Sequence, residues 1–443
     1  MGVRRRLLAL AAALGVAAGG FAVAVTGGSV ASAAVACSGT VWREGPTYTV
    51  GQQVTYSAHL YQALVTHTAW AGTGWNPAAT PTLWRDLGAC TGGPTTPPPT
   101  TTPPPTTTPP PTTPPPTTPP PTTTPPVGCA VRGKPAGKVL QGYWENWDGA
   151  SNGVHPGMGW IPINDSRITQ HGYNVLMAAF PVIRSDGTVL WENGMDSGVK
   201  VPTAAEICAA KAQGATVLMS IGGATAGVDL SSAAVADRFV STIVPILRQY
   251  NFDGIDIDIE TGLTGSGNIN QLSTSQANLI RIIDGVLAAM PSNFGLTMAP
   301  ETAYVTGGSV TYGSIWGSYL PIIKKYLDNG RLRWLNMQYY NGSMYGCSGD
   351  SYGAGTVQGF TVQTQCLNNG LTIQGVTIRI PYDKQVPGLP AQPGAGGGYM
   401  TPALVTQAYN SVPAIKGLMT WSINWDGSKA WTFGDNVKRL QGR

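Results

Sequence analysis

Charge is scarce in this 443-residue chain: Asp, Glu, Lys and Arg make up 11% of it, and only four histidines are present. So thin a charge density excludes a coiled coil and a charge-driven disordered chain. Three of the positive charges behind the formal net charge of +4 are Arg4, Arg5 and Arg6. No cluster of Lys or Arg follows them, so the basic footprint that nucleic acid requires is missing. An uncharged polymer suits this balance better. No CxxC pair and no histidine spacing fits a zinc site. Apart from residues 7–25, no run of about 18 apolar residues occurs, so a soluble mature protein with no membrane association is expected.

The first 34 residues read as an export signal: a basic start, an apolar stretch, then small residues such as Ala31-Ser32-Ala33. A retained membrane anchor is the competing reading, weakened by Gly15, Gly19 and Gly20 within the run. Export fits the even set of cysteines, Cys37, Cys90, Cys129, Cys208, Cys347 and Cys366, as disulfides of a secreted, extracellular protein. Six cysteines allow fifteen pairings. The segmentation of the chain suggests Cys37–Cys90, Cys129–Cys208 and Cys347–Cys366.

That segmentation comes from residues 94–126, which are almost only Pro and Thr. Such a stretch buries no apolar surface and is held near polyproline II, so it reads as a spacer. Upstream, residues 36–91 are rich in Trp, Tyr, Thr and Val with Gly and Pro punctuation, the signature of a small all-β module. Residues 50–56 and 60–64 are two expected strands. A body this small needs a staple, which Cys37–Cys90 would supply.

Downstream, residues 129–443 carry eight apolar runs: 139–146, 174–183, 216–223, 252–260, 295–301, 334–341, 376–383 and 417–426. Helical patterns at 204–213, 233–250, 275–290, 315–329 and 401–411 fall between several of them. Near-continuous apolar strands alternating with helices imply a parallel sheet covered on both faces. Eight strands over this length predict an α/β fold, the (β/α)8 TIM barrel. A doubly wound open sheet competes, but no glycine-rich nucleotide loop follows the first run.

In such a barrel the strands end in the active site. The fourth run, residues 252–260, alternates: Asp256, Asp258 and Glu260 share one face, and Ile255, Ile257 and Ile259 the other. Asp253 is off this parity and belongs near the strand's start. Three carboxyls so close cannot all ionise, so at least one proton is retained. A raised carboxyl beside an ionised one suits acid-catalysed glycosidic cleavage. Clustered carboxylates also bind Mg²⁺ or Ca²⁺, and the residues alone leave that alternative open.

Asp253-x-x-Asp256-x-Asp258-x-Glu260 resembles the DxxDxDxE signature of glycoside hydrolase family 18, which includes many chitinases. Ser220-Ile221-Gly222-Gly223, Met298-Ala299-Pro300-Glu301, 337–341 (MQYYN) and Trp421 are similar to family motifs on the third, fifth, sixth and eighth strands. The resemblance covers nearly all of residues 129–443. It implies that Glu260 is the acid, that the substrate's N-acetyl oxygen is the nucleophile with an oxazolinium intermediate, and that net retention results. It assigns Asp258 to orient the acetamide, Asp256 to hold Asp258 by a shared proton, and Tyr340 to bond the acetamide oxygen. Tyr143, Gln338, Asn341, Trp421, Met298 and Glu301 are the implied substrate contacts. Asn341 stands where some relatives carry aspartate.

The resemblance implies chitin and chito-oligosaccharides as substrates, no cofactor or metal, and a monomer. The short gap before the final strand lacks the inserted subdomain of deep-groove relatives, which implies an open cleft and endo attack. Two other readings share the acidic strand: an endo-β-N-acetylglucosaminidase on glycoprotein glycans, and a non-catalytic chitin-binding lectin. Residues 36–91, with Trp42, Tyr48, Tyr56, Tyr61, His67, Trp75 and Trp84, resemble carbohydrate-binding module families 5 and 12. His59 departs from them where a turn glycine is common. Trp75 and Trp70 are the expected chitin-binding aromatics, with Trp42, Tyr56 and Trp84 as core.

Overall fold

A computed structural model describes residues 35–37, 40–43, 46–64, 67–69, 76–78, 83–91, 128–147, 159–224 and 227–443. The expected export signal, the Pro/Thr stretch, Trp70 and Trp75 lie outside these residues. The chain divides into two units, with the break between Thr107 and Thr108.

In the smaller unit the strands Gln53–Tyr56 and His59–Ala63 form an antiparallel hairpin, with Val54 opposite Tyr61. Its turn residues Ser57 and Ala58 both take positive φ, 48° and 60°. That is the twist two-residue hairpins require, achieved here without glycine. His59, just after the turn, places Nδ1 2.9 Å from an Asp86 carboxylate oxygen on the facing strand Trp84–Thr91. Tyr48, Val54, Tyr61, Ala63, Ala69 and Trp84 are buried together. Trp42 and Tyr56 pack at the margin, ring edge to ring face at 5.2 Å. The disulfide Cys37–Cys90 ties the two ends of this unit.

In the larger unit eight parallel strands form one sheet: β1 (Val139–Glu145), β2 (Val175–Ala179), β3 (Thr216–Gly222), β4 (Gly254–Asp258), β5 (Gly295–Met298), β6 (Leu332–Leu335), β7 (Gly388–Pro390) and β8 (Gly417–Trp421). β1 pairs with both β2 and β8. Parallel bridges Leu335↔Gln385 and Gln338↔Gly388 join β6 to β7 and close the ring. The main helices are α1 (Ser166–Gln170), α2 (Ala204–Ala212), α3 (Ala233–Gln249), α4 (Thr274–Ala289), α5 (Leu320–Asp328), α6 (Val357–Asn369), α7 (Pro402–Ser411) and α8 (Thr432–Leu440), one after each strand, with a further short helix, Ile423–Gly427, between β8 and α8. The fold is a (β/α)8 barrel. Side-chain caps set several starts: Thr203 and Glu206 form a reciprocal box at α2, as do Ser273 and Gln276 at α4.

One expected strand is wrong. Residues 376–383 do not enter the barrel: Val376–Ile378 pairs antiparallel with Leu371–Ile373 as an outer hairpin. The seventh barrel strand is Gly388–Pro390, within the proline- and glycine-bearing stretch 386–399. Its pairing needs few donors, and Gly388 supplies one to Met337 O at 2.8 Å.

Ile255, Ile257 and Ile259 are fully buried in the layer between sheet and helices, while Tyr143, Met177, Leu218, Trp334 and Met419 fill the barrel interior. At the N-terminal end, Asp253 accepts from Arg132 N at 2.6 Å and Val217 N at 2.9 Å, and pairs with Lys211 at 2.7 Å. Cys129–Cys208 fastens the segment carrying Arg132 to α2, and Cys347–Cys366 ties the β6–α6 connection to α6. Among the described residues, no helix is long and apolar enough to cross a membrane.

Candidate active site

Alternation along β4 brings Asp256 and Asp258 to the interior, as their spacing predicts, with Glu260 two residues beyond the strand end. Asp256 is fully buried and accepts four side-chain hydrogen bonds. They come from Tyr143 Oη at 2.7 Å, Ser220 Oγ at 2.8 Å, Thr297 Oγ1 at 2.6 Å and Asn336 Nδ2 at 3.1 Å. Burial pushes this carboxyl up, and the four donors oppose the rise. They favour the ionised form.

Asp258 is held differently. Its Oδ1 accepts from Gln338 Nε2 at 2.9 Å, and the same nitrogen donates to Glu260 Oε1 at 3.0 Å and to Ala299 O at 3.1 Å. Burial, then the charges of Glu260 and Asp256, hold Asp258 well above the ordinary range. Glu260 is also raised, by burial, with Gln338 opposing. The hydrogen bonds of Asp258 thus lead to Glu260 through Gln338.

The backbone around the acid is tied by two tyrosines. Tyr319 Oη accepts from Ile259 N at 2.9 Å and donates to Ile259 O at 2.8 Å, and Tyr304 Oη donates to Glu260 O. The glycines after β3 permit close approach. Gly222 sits at φ 113°, where an added Cβ would lie 2.1 Å from Asp258 O, and Gly223 N donates to that oxygen at 2.7 Å.

Tyr340 is buried, and burial with the charges of Asp258 and Glu260 holds its hydroxyl well above the usual range, so it stays protonated and can donate. Trp421 is partly exposed at the end of β8, with its ring nearly parallel to Phe180 at 6.0 Å. Trp147 continues this wall, 6.4 Å from Phe180 and 6.0 Å from Trp421. Glu301, past the end of β5, pairs by backbone with Gln338, and burial with the charge of Glu260 pushes its carboxyl up to about 7.

Two expected substrate contacts are corrected. Tyr143 is almost wholly buried and its hydroxyl is spent on Asp256, so it supports that carboxylate from below. Met298 pairs in register with Ile257 and is fully buried in the outer layer; its neighbour Thr297, in register with Asp256, is the one that faces inward. Asn341 is exposed, with Oδ1 accepting from Gly397 N at 2.8 Å. Sequence reading missed Thr297, Asn336, Tyr319, Tyr304, Phe180 and Trp147. Strand parity could have found the first two, since Asn336 lies one step before Gln338 on the inward face.

Among the described residues no group of three or more His, Cys, Asp and Glu is placed to hold a metal ion. What the arrangement can do is keep a protonated carboxyl beside an ionised one above an aromatic floor.

Residues 41–85 match the carbohydrate-binding module family 5/12. Endochitinase 37 of Trichoderma harzianum is 81% identical over 309 residues, 70% of this chain and 92% of that protein. Chitinase D of Niallia circulans is 30% identical over 87% of this chain and 88% of its own length. Among solved structures, a family GH18 chitinase from Chromobacterium violaceum is similar at 30% identity and TM-score 0.60, covering 91% of this chain and 99% of that one. With residues 139–343 also matching the glycosyl hydrolases family 18 model, this chain belongs to that family.

Proposed function

We propose that this chain is a secreted, monomeric, endo-acting chitinase that hydrolyses β-1,4-linked N-acetylglucosamine polymers with retention, aided by the substrate. In this reading residues 1–34 are the export signal, 36–91 the chitin-binding module, 94–126 the linker and 129–443 the catalytic domain. The supporting observation is the single amide nitrogen of Gln338 shared between Asp258 and Glu260, at 2.9 and 3.0 Å.

Glu260 gives its proton to the glycosidic oxygen as the bond breaks. The carbonyl oxygen of the substrate's own 2-acetamido group attacks the anomeric carbon, forming a cyclic oxazolinium ion. Asp258 orients the acetamide N–H and balances the positive charge, and Tyr340 donates to the acetamide oxygen. Asp256, whose four donors favour its ionised form against the effect of burial, sets the charge behind Asp258. Glu260, now ionised, takes a proton from water, whose oxygen attacks the anomeric carbon from the face the departing sugar left as the opposite bond to the acetamide oxygen breaks, so configuration is retained. The sugar ring rests on Trp421. A sugar without the acetamide brings no nucleophile. Between β7 and β8 the chain has only α7 and short connections, so no added wall deepens the cleft.

Insoluble chitin, chito-oligosaccharides and a high-mannose glycoprotein, assayed with wild type and Glu260→Gln, test this. Cleavage of both chitin substrates is expected, with kcat lowered on the order of 10³-fold in Glu260→Gln. Intact chitin beside a cleaved glycoprotein overturns the substrate, and near-full activity of Glu260→Gln overturns the acid. Removal of residues 1–126 should lower activity on insoluble chitin far more than on soluble oligomers, and equal losses would remove the targeting role from the module.

A further inference from the structure

We propose that Glu145 is a positioning residue that fixes Trp421, through Ser422, in the place where a sugar ring can lie on it. This rests on the reading in which Trp421 is the floor of the site. Gln141, Tyr143 and Glu145 form the inward row of β1, and Glu145 is its last member, fully buried and in register with Ala179 of β2. Its carboxyl takes no part in the proton transfers at the end of β4. It serves the turn that follows β8 instead.

Ser422, the residue after Trp421, is also fully buried, and its Oγ donates to Glu145 Oε1. A hydroxyl has one hydrogen to give. With that hydrogen held by Glu145, the same oxygen accepts from Trp425 N at 3.1 Å and caps the short helix Ile423–Gly427. The backbone N of Glu145 donates to Asn424 Oδ1 at 3.0 Å, a second tie to this turn. On the other side, Trp421 O accepts from Ala391 N at 2.8 Å, just past the end of β7. The Trp421 backbone is therefore held from β7 and from Glu145, while its ring stays partly exposed.

The rest of the aromatic wall hangs from the same strand end by separate bonds. Asn146 Nδ2 donates to Phe180 O at 2.9 Å, and Asn146 N donates to Ala179 O at 2.9 Å. Trp147 follows, with its ring 6.0 Å from Trp421. A change confined to the Glu145 side chain thus acts on Trp421 and spares the ties of Phe180. An aromatic face holds the apolar face of a pyranose only where the two planes meet, so a loosened Trp421 binds sugar less well.

The test measures the Kd of a soluble chito-oligosaccharide in the Glu260→Gln background, with Glu145→Leu, Glu145→Gln, Ser422→Ala or Trp421→Ala added. Glu145→Leu removes the acceptor at similar size and should weaken binding about tenfold. Glu145→Gln keeps an oxygen acceptor for Ser422 and should recover most of the affinity, a rescue that depends on the hydrogen bond. Ser422→Ala breaks the same bond from the other side and should weaken binding as Glu145→Leu does, which tests the idea even where leucine is not accommodated at position 145. Full affinity in Ser422→Ala or in folded Glu145→Leu would overturn the proposal, as would a Glu145→Gln variant as weak as Glu145→Leu. Full affinity in Trp421→Ala would instead refute the sugar floor on which the proposal rests.

Discussion

Asp253, just before β4, and Asp258, at its end, are buried carboxyls five residues apart, yet they face opposite ends of the barrel and meet different partners. Asp253, at the closed end, has two backbone N–H donors and the Lys211 ammonium within 2.9 Å. Asp258, at the open end, has one amide donor, shared with Glu260, and the charges of Glu260, Asp256 and Glu301 push it up. Burial is common to both. The partners differ: at the lower site three donors oppose a rise that burial still wins, while at the upper one neighbouring carboxyls add to the rise and hold Asp258 well above the ordinary range.

The sharpest way to break this contrast is to spoil the lower end. Lys211→Met leaves Asp253 buried without its cation and should cost about 3 kcal/mol of stability. Its kcat, measured on the folded protein at low temperature, should stay near wild type. A lowered kcat with unchanged denaturant midpoint would show that the two ends are not separate.

A smaller effect is expected at the upper end from Tyr319→Phe, which removes both hydrogen bonds to Ile259. It should cost about 2 kcal/mol in chemical denaturation. Because the peptide leading into Glu260 is released, kcat should also fall about tenfold. A stability loss without a kinetic one would make this tyrosine part of the scaffold only.

The smallest and most diagnostic effect concerns pH. The folded state holds Asp258 above its unfolded value, so its contribution to stability is full below about pH 4 and is lost as pH rises through the folded value. Asp258→Asn should therefore be inactive yet about 1 kcal/mol more stable than wild type at pH 8, with no gain at pH 4. Thermal unfolding at the two pH values measures this. A gain equal at both would point to packing in place of charge.

Much of the upper site was legible because it is written locally. Alternation in residues 255–260 put three carboxyls inward and three isoleucines outward, and the structure has them so. The same rule, applied to residues 297 and 298, would have chosen Thr297 over Met298; the motif drew attention to the wrong parity. β7 was missed because a three-residue strand between prolines has no periodicity to read, and its place is fixed by Leu335, Gln338 and β8. The partners of Asp253 were invisible for a different reason. Arg132 lies 121 residues away in sequence, and no local pattern announces a contact of that span. The pairings of all six cysteines, by contrast, followed from segmentation.

As they lose their protons with rising pH, Asp258, Glu260 and Glu301 give the cleft a growing field that attracts cations and repels anions. A chitin chain stripped of some acetyl groups carries ammonium groups at neutral pH, so it is drawn into this field more strongly than the intact polymer. When a bare amine instead of an acetamide is seated over Trp421, there is no acyl oxygen to attack the anomeric carbon. A chain with a free amine at the cleaved position is thus expected to bind more strongly at low salt yet to be cut poorly.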